Sequence, residues 1–234
     1  MIFDFHTHIL PGIDDGSKSV EMSREMLEES SRQGIDVILT TPHFYADSMG
    51  IDSFLSNRDE AFNKVLPIAE ELGIKLIPGG EVAFFDNMSR ASDLDKLMIE
   101  GTDLMLLEMP FRSWHSSDLY EVDQIIRRGI TPIIAHVERF FHFQRDKHIV
   151  EDLMEREVIV QVNAECLIER STRRLGVKLF KSGYAELLGS DCHNLTSRRQ
   201  NLAEGRRILD KKIGRGILGD LDQLGENVLW SWLQ

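Results

Sequence analysis

A chain of 234 residues is long enough to bury a substantial core and suits one large α/β barrel or two small domains. With 39 acidic against 27 basic residues, its formal net charge of -12 argues against nucleic acid or an anionic membrane surface as partner. The start of the chain carries no basic segment followed by a long apolar run, which predicts a cytoplasmic protein without membrane insertion. Cys166 and Cys192, its two cysteines, read as free thiols.

Short apolar runs recur along the chain: IFDF (2–5), DVILTT (36–41), IKLIPGG (74–80), DLMLLE (103–108), ITPIIAH (130–136), VIVQVN (158–163) and AELLGSD (185–191). They have the character of strands buried on both faces of a parallel sheet, and there are seven of them. Between them, amphipathic segments at 19–33, 54–72, 117–128, 145–156 and 197–212 predict helices, several stopped by a glycine such as Gly34, Gly73 or Gly129. A last amphipathic stretch, 217–234, with Leu218, Leu221, Leu224, Val228, Leu229 and Trp232, reads as a helix that closes the barrel. No linker or low-complexity tract interrupts this βα alternation, so residues 1–234 are expected to form a single α/β domain close to a TIM barrel. An open doubly wound sheet is the alternative.

Residue types that ligate metals fall at the ends of these runs. His6 and His8 follow the first strand, His43 the second, Glu81 the third, Glu108 the fourth, His136 the fifth, and Asp191 with His193 the seventh. In a parallel barrel the C-terminal strand ends form one face, so residues spread from 6 to 193 converge on one pocket. Successive ends at 6, 43, 81, 108, 136, 163 and 191 lie 27 to 38 residues apart, about one βα unit, which favours closure and puts Asn163 on the same rim. His115, His142 and His148 fall outside the pattern and are read as ordinary loop or helix residues. Buried imidazoles and carboxylates without a partner cost several kcal/mol (roughly) to desolvate, so together the eight predict a metal site. Imidazole mixed with carboxylate and no required thiolate suits Mn²⁺, Fe²⁺ or Zn²⁺ in a hydrolytic site, with two or three ions rather than one.

The motifs HTH (6–8), TPH (41–43), GGE (79–81), LLE (106–108), AHVER (135–139) and SDCHN (190–194) resemble those of the PHP superfamily, named for polymerase and histidinol phosphatase domains. HTHILPGIDDGSKS, with AHVER and SDCHN, is similar more narrowly to the bacterial manganese-dependent protein-tyrosine phosphatases of capsule and exopolysaccharide loci. The resemblance implies a distorted TIM-like (β/α)₇ barrel with its metal site at the C-terminal strand ends. Carried over by position, it implies a first ion held by His6, His8, Glu81 and Asp191, and a second held by Glu81, Glu108 and His136. A third would be held by His43, His193 and one acid of the Asp14-Asp15 pair, Asp15 being preferred. It further implies Mn²⁺ as the ion, a phosphotyrosine protein as substrate, in particular a polysaccharide-export tyrosine autokinase, and a hydroxide bridging two metals as nucleophile.

The same resemblance implies two arginines: Arg139, three residues after His136, and Arg198, five after His193, which can reach the rim and grip phosphate, supplying the positive charge that the acidic whole lacks. On the resemblance, Arg139, Arg198 and Asp15 are the expected catalytic residues. Cys192 to Arg198 also spells the C-x₅-R spacing of cysteine-dependent tyrosine phosphatases. HNLTS between them has no glycine to help turn its N–H groups inward, and Asp191 beside the thiol disfavours a thiolate, so the match is read as coincidence. In the segments 44–57 and 109–118, Phe44, Tyr45, Phe111 and Trp114 could form an aromatic rim for a phenyl ring. Two rivals share these features: a histidinol-phosphate or other small-molecule phosphatase of the superfamily, and a barrel that serves as a non-catalytic metal-binding module.

Overall fold

The computed structural model describes residues 1–214 and 216–233. Its strands are β1 (Phe3–Thr7), β2 (Val37–Thr40), β3 (His43–Phe44), β4 (Lys75–Pro78), β5 (Glu81–Ala83), β6 (Leu104–Glu108), β7 (Thr131–Ile134), β8 (Ile159–Asn163) and β9 (Leu187–Gly189). Every strand pairing is parallel, in the orders β1-β2-β4 and β3-β5-β6-β7-β8-β9. The seven expected runs match β1, β2, β4, β6, β7, β8 and β9; β3 and β5 are two short segments that were not expected and lie just past the second and third runs, so His43 and Glu81 open strands of their own. Pro42, which has no N–H to give a ladder, separates β2 from β3, and Gly79-Gly80 separates β4 from β5. The chain stays on course across both breaks, since Thr41 N donates to Thr7 O at 2.9 Å and Glu81 N donates to Pro42 O at 2.9 Å.

The sheet curls until its last strand meets its first. Asp191 N donates to His6 O at 2.8 Å and His8 N to Cys192 O at 2.9 Å, which ties the residues after β9 to the end of β1. Side chains alternate across such a sheet. Phe3, Phe5, Val37, Leu39, Ile77, Leu104, Leu106, Ile133 and Leu187 point into the curl and form one buried cluster. Their neighbours Ile38, Leu76, Met105, Leu107, Ile134 and Val160 point outward into a larger cluster shared with the helices.

The helices are α1 (Val20–Arg32), α2 (Ile51–Glu71), α3 (Ser116–Arg127), α4 (His148–Met154), α5 (Ala164–Ile168), α6 (Arg173–Lys181), α7 (Leu202–Ile213), α8 (Ile217–Val228) and α9 (Trp230–Leu233). Four differ from expectation for local reasons. The expected helix at 197–212 begins only at Leu202, because Asn194 Oδ1 accepts from Thr196 N and Arg198 N and folds that stretch into a loop. The expected helix at 145–156 is shorter, and His148 N at its start donates to Asp146 Oδ1. Helices α5 and α6 were not anticipated: Gly176, a poor helix former, sits inside α6 because a Cβ there would lie 2.9 Å from Cys166 Sγ.

The C-terminal stretch is helical as two pieces, α8 and α9, with Leu229 between them; Gln234 lies outside the described residues. Leu229 joins the inner cluster, with Leu224, Val228 and Trp232 packed against it, beside Phe3 at the start of β1. The end of the curl opposite the strand C-termini is thereby plugged. Gly225 permits this, since a Cβ there would stand 2.5 Å from the Phe3 ring. Among the described residues, no helix is long and apolar enough to cross a membrane.

Candidate metal centre

Glu81, the first residue of β5, lies at the middle of the strand-end face with 1% exposure. Its Oε2 lies 3.1 Å from His6 Nε2, 3.2 Å from His8 Nε2 and 2.9 Å from His43 Nδ1, while Oε1 lies 2.8 Å from His136 Nε2. One carboxylate thus faces four imidazoles delivered by the end of β1, by β3 and by the loop after β7. Glu108, ending β6, approaches His136 Nε2 at 3.4 Å. Asp191 Oδ1 stands 3.6 Å from His6 Nε2, 3.5 Å from His8 Nε2 and 3.3 Å from His193 Nδ1.

The Asp14-Asp15 pair divides its work. Asp14 Oδ2 meets His8 Nδ1 at 2.6 Å and accepts from His43 N at 3.0 Å, and its Oδ1 accepts from Gly16 N at 2.8 Å. Asp14 therefore orients His8 from behind, and these bonds lower its carboxyl to about 2 despite burial. Asp15 Oδ1 instead lies 3.2 Å from His193 Nε2 and 3.6 Å from His43 Nε2, on the side where Asp14 does not reach. Glycine at 16 makes this possible. A Cβ there would come 2.2 Å from His8 O, so the loop could not fold back to place either acid.

The donor set fits cations. His6 Nδ1 faces Gln161 Oε1 at 3.3 Å and His8 Nδ1 faces a carboxylate oxygen; neither oxygen can donate, so both rings carry their proton on Nδ1. Their Nε2 lone pairs then point at each other across 3.0 Å, with Glu81 Oε2 beside them. Only a shared proton or a cation reconciles three such atoms. Glu81 Oε2 and three further buried atoms, His43 Nδ1, His136 Nδ1 and His193 Nε2, form no hydrogen bond. Three groups bring their ligand atoms within 4.8 Å of one another: His6, His8 and Glu81; His43, Glu81 and Glu108; and His8, Asp15, His43 and His193.

The carboxylates favour positive charge in this cluster, whether a proton on an imidazole or a cation. Burial alone disfavours a charged imidazole, but Asp14 and Glu81 outweigh it and raise His8 to about 10. Burial is likewise outweighed at His136 by Glu108 and Glu81, which raise it to about 9. Burial pushes Glu81 upward, and the imidazoles of His6, His136 and His43 around it more than reverse this, holding it well below the ordinary carboxylate range. Two of the residues sit in left-handed backbone, His136 at φ 31° and Asp191 at φ 54°, a conformation costing about 1–3 kcal/mol that persists where surroundings over-determine it.

A profile of the family described as capsular polysaccharide synthesis, CpsB/CapC, matches residues 2–224. The chain belongs to the CpsB/CapC family. Relatives include the tyrosine-protein phosphatase CpsB of Streptococcus agalactiae serotype III (strain NEM316), 26% identical over 230 residues and covering 92% of each chain. The tyrosine-protein phosphatase YwqE of Bacillus subtilis (strain 168) is 28% identical over 223 residues, covering 91% of this chain and 85% of its own. A crystal structure from work on YwqE from Bacillus subtilis and CpsB from Streptococcus pneumoniae, described there as unique metal-dependent tyrosine phosphatases, shares the fold with a TM-score of 0.84 at 24% identity. That match covers 97% of this chain and 94% of the other, and it makes the curled parallel α/β sheet the fold of the CpsB/CapC family.

Both arginines singled out in this CpsB/CapC chain reach the centre through Asp191. Arg139 Nη2 donates to Asp191 Oδ2 at 2.7 Å and Arg198 Nη2 to Oδ1 at 2.6 Å, with 31% of each side chain exposed. The aromatic rim is smaller than expected. Phe44 and Trp114 are core residues at 1% and 4% exposure, whereas Tyr45 and Phe111, at 42% and 46%, stack on His43 and His136 with ring centroids 5.2 and 5.9 Å apart. Alternation explains Phe44: it follows His43 on β3 and so faces the opposite side, against Phe54 of α2.

The C-x₅-R stretch is no phosphate cradle. Its N–H groups are used within the loop: His193 N and Asn194 N donate to Arg198 O, and Cys192 N donates to Ser190 Oγ. Cys192 is 1% exposed, and burial, then Asp4 and Asp191, push its thiol far above the usual range. Burial also raises Cys166, to about 12. His115, His142 and His148 stay outside the centre, His115 N donating to Asp118 at the start of α3 and His148 pairing with Glu151. Sequence reasoning missed the orienting role of Asp14 and gave no role to Gln161; the signal for Gln161 was a polar side chain inside the apolar run VIVQVN.

Proposed function

We propose that this chain is a metal-dependent protein-tyrosine phosphatase, with residues 1–234 acting as one catalytic unit. The observation that carries the reading is Glu81, a buried carboxylate facing four imidazoles whose lone pairs and orphaned atoms fit cations. The names of the relatives support the reaction and the capsule-related setting.

His6, His8 and Glu81 would hold one ion with Asp191, Glu108 and His136 would share Glu81 in holding a second, and His43, His193 and Asp15 would hold a third. Mn²⁺ is the proposed ion, since imidazole mixed with carboxylate serves it and neither thiol reaches the centre. When bound, such ions supply charge that stabilises a phosphoryl transition state and acidifies water. Asp14 fixes the His8 ring, and Asp191 holds the two guanidiniums beside the centre, where their remaining N–H groups would serve a phosphate. Tyr45 and Phe111 flank the centre and offer stacking faces to the phenyl ring of phosphotyrosine. The proposed substrate is a cytoplasmic phosphotyrosine segment of a polysaccharide-export tyrosine autokinase.

Assays with p-nitrophenyl phosphate, a phosphotyrosine peptide and histidinol phosphate, each with added Mn²⁺, a chelator or iodoacetamide, test this directly. The chelator is expected to abolish turnover and Mn²⁺ to restore it, while alkylation leaves it intact because both thiols are buried. Loss by alkylation alone would return the chemistry to Cys192. A preference for histidinol phosphate would select the small-molecule reading, and no turnover with any metal the non-catalytic one.

The rim makes a second expectation. Phe111→Ala should lower kcat/KM for the phosphotyrosine peptide about 5- to 10-fold, the worth of one aromatic contact, and leave a small alkyl phosphate within about twofold. Equal losses on both substrates would remove Phe111 from ring recognition.

A further inference from the structure

Strand β8 brings no candidate ligand to the strand-end face, yet two of its side chains, Gln161 and Asn163, are buried there at 0% and 1% exposure. They form a chain. His136 N donates to Gln161 Oε1 at 2.7 Å, and the same oxygen faces His6 Nδ1 at 3.3 Å. Gln161 Nε2 donates to Asn163 Oδ1 at 2.8 Å, and Asn163 Nδ2 donates to Asp191 Oδ2 at 2.8 Å. We infer that Gln161 and Asn163 are positioning residues, a two-amide relay that sets the geometry of His6, His136 and Asp191 for metal binding.

Both amides have their orientation forced from the ends. At one end a backbone N–H demands an oxygen, which makes Oε1 the acceptor and leaves Nε2 to donate onward. At the other end a carboxylate accepts only, so Asn163 must present Nδ2 to it and Oδ1 to Gln161. The direction of the relay is thus single-valued, and it carries three consequences. His6 is held in the Nδ1–H tautomer with Nε2 free toward Glu81. His136 has its N–H anchored in a left-handed conformation that few residues other than glycine adopt. Asp191, also left-handed, has one oxygen shared between Asn163 and Arg139 and the other turned to His6, His8 and His193.

The surroundings are built to admit the relay. Gly189 pairs with Asn163 across β8 and β9, and a Cβ there would lie 2.7 Å from both Gln161 Nε2 and His6 Cβ. Asn163 is fixed by its backbone as well, its N–H donating to Glu138 at 3.3 Å. Groups that orient metal-ligating histidines and carboxylates typically change metal affinity 10- to 100-fold when removed.

The inference rests on the metal-centre reading, and its test separates the two. Mn²⁺ affinity would be measured by calorimetric titration on the full chain and on Gln161→Met, Asn163→Ala and the double variant. Thermal unfolding in chelator would report on the fold of each. Each single variant is expected to bind Mn²⁺ about 10- to 100-fold more weakly. The double variant should bind no more weakly than the worse single, because both substitutions cut one chain. Wild-type affinity in either single variant, or losses that multiply in the double, would overturn the relay. So would loss of cooperative unfolding in both singles, which would make the pair merely structural. Asn163→Ala leaves His136 N–H with its acceptor and so reports even where Gln161→Met does not fold. A wild-type chain that takes up no Mn²⁺ would overturn the metal centre itself, a different result.

Discussion

Replacing Glu81 by glutamine is expected to lower kcat/KM for a phosphotyrosine peptide by on the order of 10³ or more and to strip metal from the chain. The substitution keeps the volume of the side chain, so the fold around β5 should survive. It removes the charge that four imidazoles share, at His6, His8, His43 and His136. An amide also places N–H donors where lone pairs of His6 and His8 converge, which opposes a cation there. Elemental analysis of metal per chain, beside steady-state kinetics and circular dichroism, checks this. A folded Glu81→Gln chain with unchanged metal content and turnover would remove Glu81 from the centre.

The largest effect on stability is expected at Phe54, where Phe54→Ala should cost about 3–5 kcal/mol in denaturant unfolding. Phe54 lies on α2 at 1% exposure, with its ring 5.2 Å from that of Phe44 on β3. The ring also lies where a Cβ on Gly80 would stand, 2.9 Å from its Cζ, so it packs directly on the backbone between β4 and β5. The cavity left by alanine therefore opens beneath His43 and Glu81 together. Weakened metal affinity should accompany the lost stability, whereas Tyr120→Ala, at 58% exposure on α3, should stay within about 0.5 kcal/mol of wild type. A Phe54→Ala cost below about 1 kcal/mol would show that the ring does not support these strands.

Much of the centre was legible because a parallel βα fold turns sequence period into spatial convergence. Once IFDF, DVILTT and the later runs read as strands, the ligand-type residues at their ends pointed to one face, and the curled sheet brings His6, His8, His43, Glu81, Glu108, His136, Asp191 and His193 together. The runs gave no sign that pairing resumes past Pro42 and Gly79-Gly80 as β3 and β5, since two- and three-residue strands are too short to show a period. Helix α5 was invisible because five residues carry little period, and in α6 Gly176, a poor helix former, stands inside the helix for a packing reason. Phe44 and Trp114 looked like Tyr45 and Phe111, because composition does not say which way an aromatic faces.

What the sequence by itself determined is the type of centre: which residues are buried at strand ends, and that imidazole and carboxylate without thiolate make a cation-binding set. Those follow from residue chemistry and strand period, both local properties. Only the tertiary structure decided the division of labour. Asp14 and Asp15 are neighbours of identical chemistry, and they part because Gly16 lets the loop fold onto His8 O, turning one acid behind His8 and the other toward His193. Gln161 and Asn163 meet His136 and Asp191 because the strand order sets β8 between β7 and β9, contacts 25 and 28 residues away along the chain. Hydrogen bonds of that kind depend on where the backbone brings each donor, and sequence period carries no record of it.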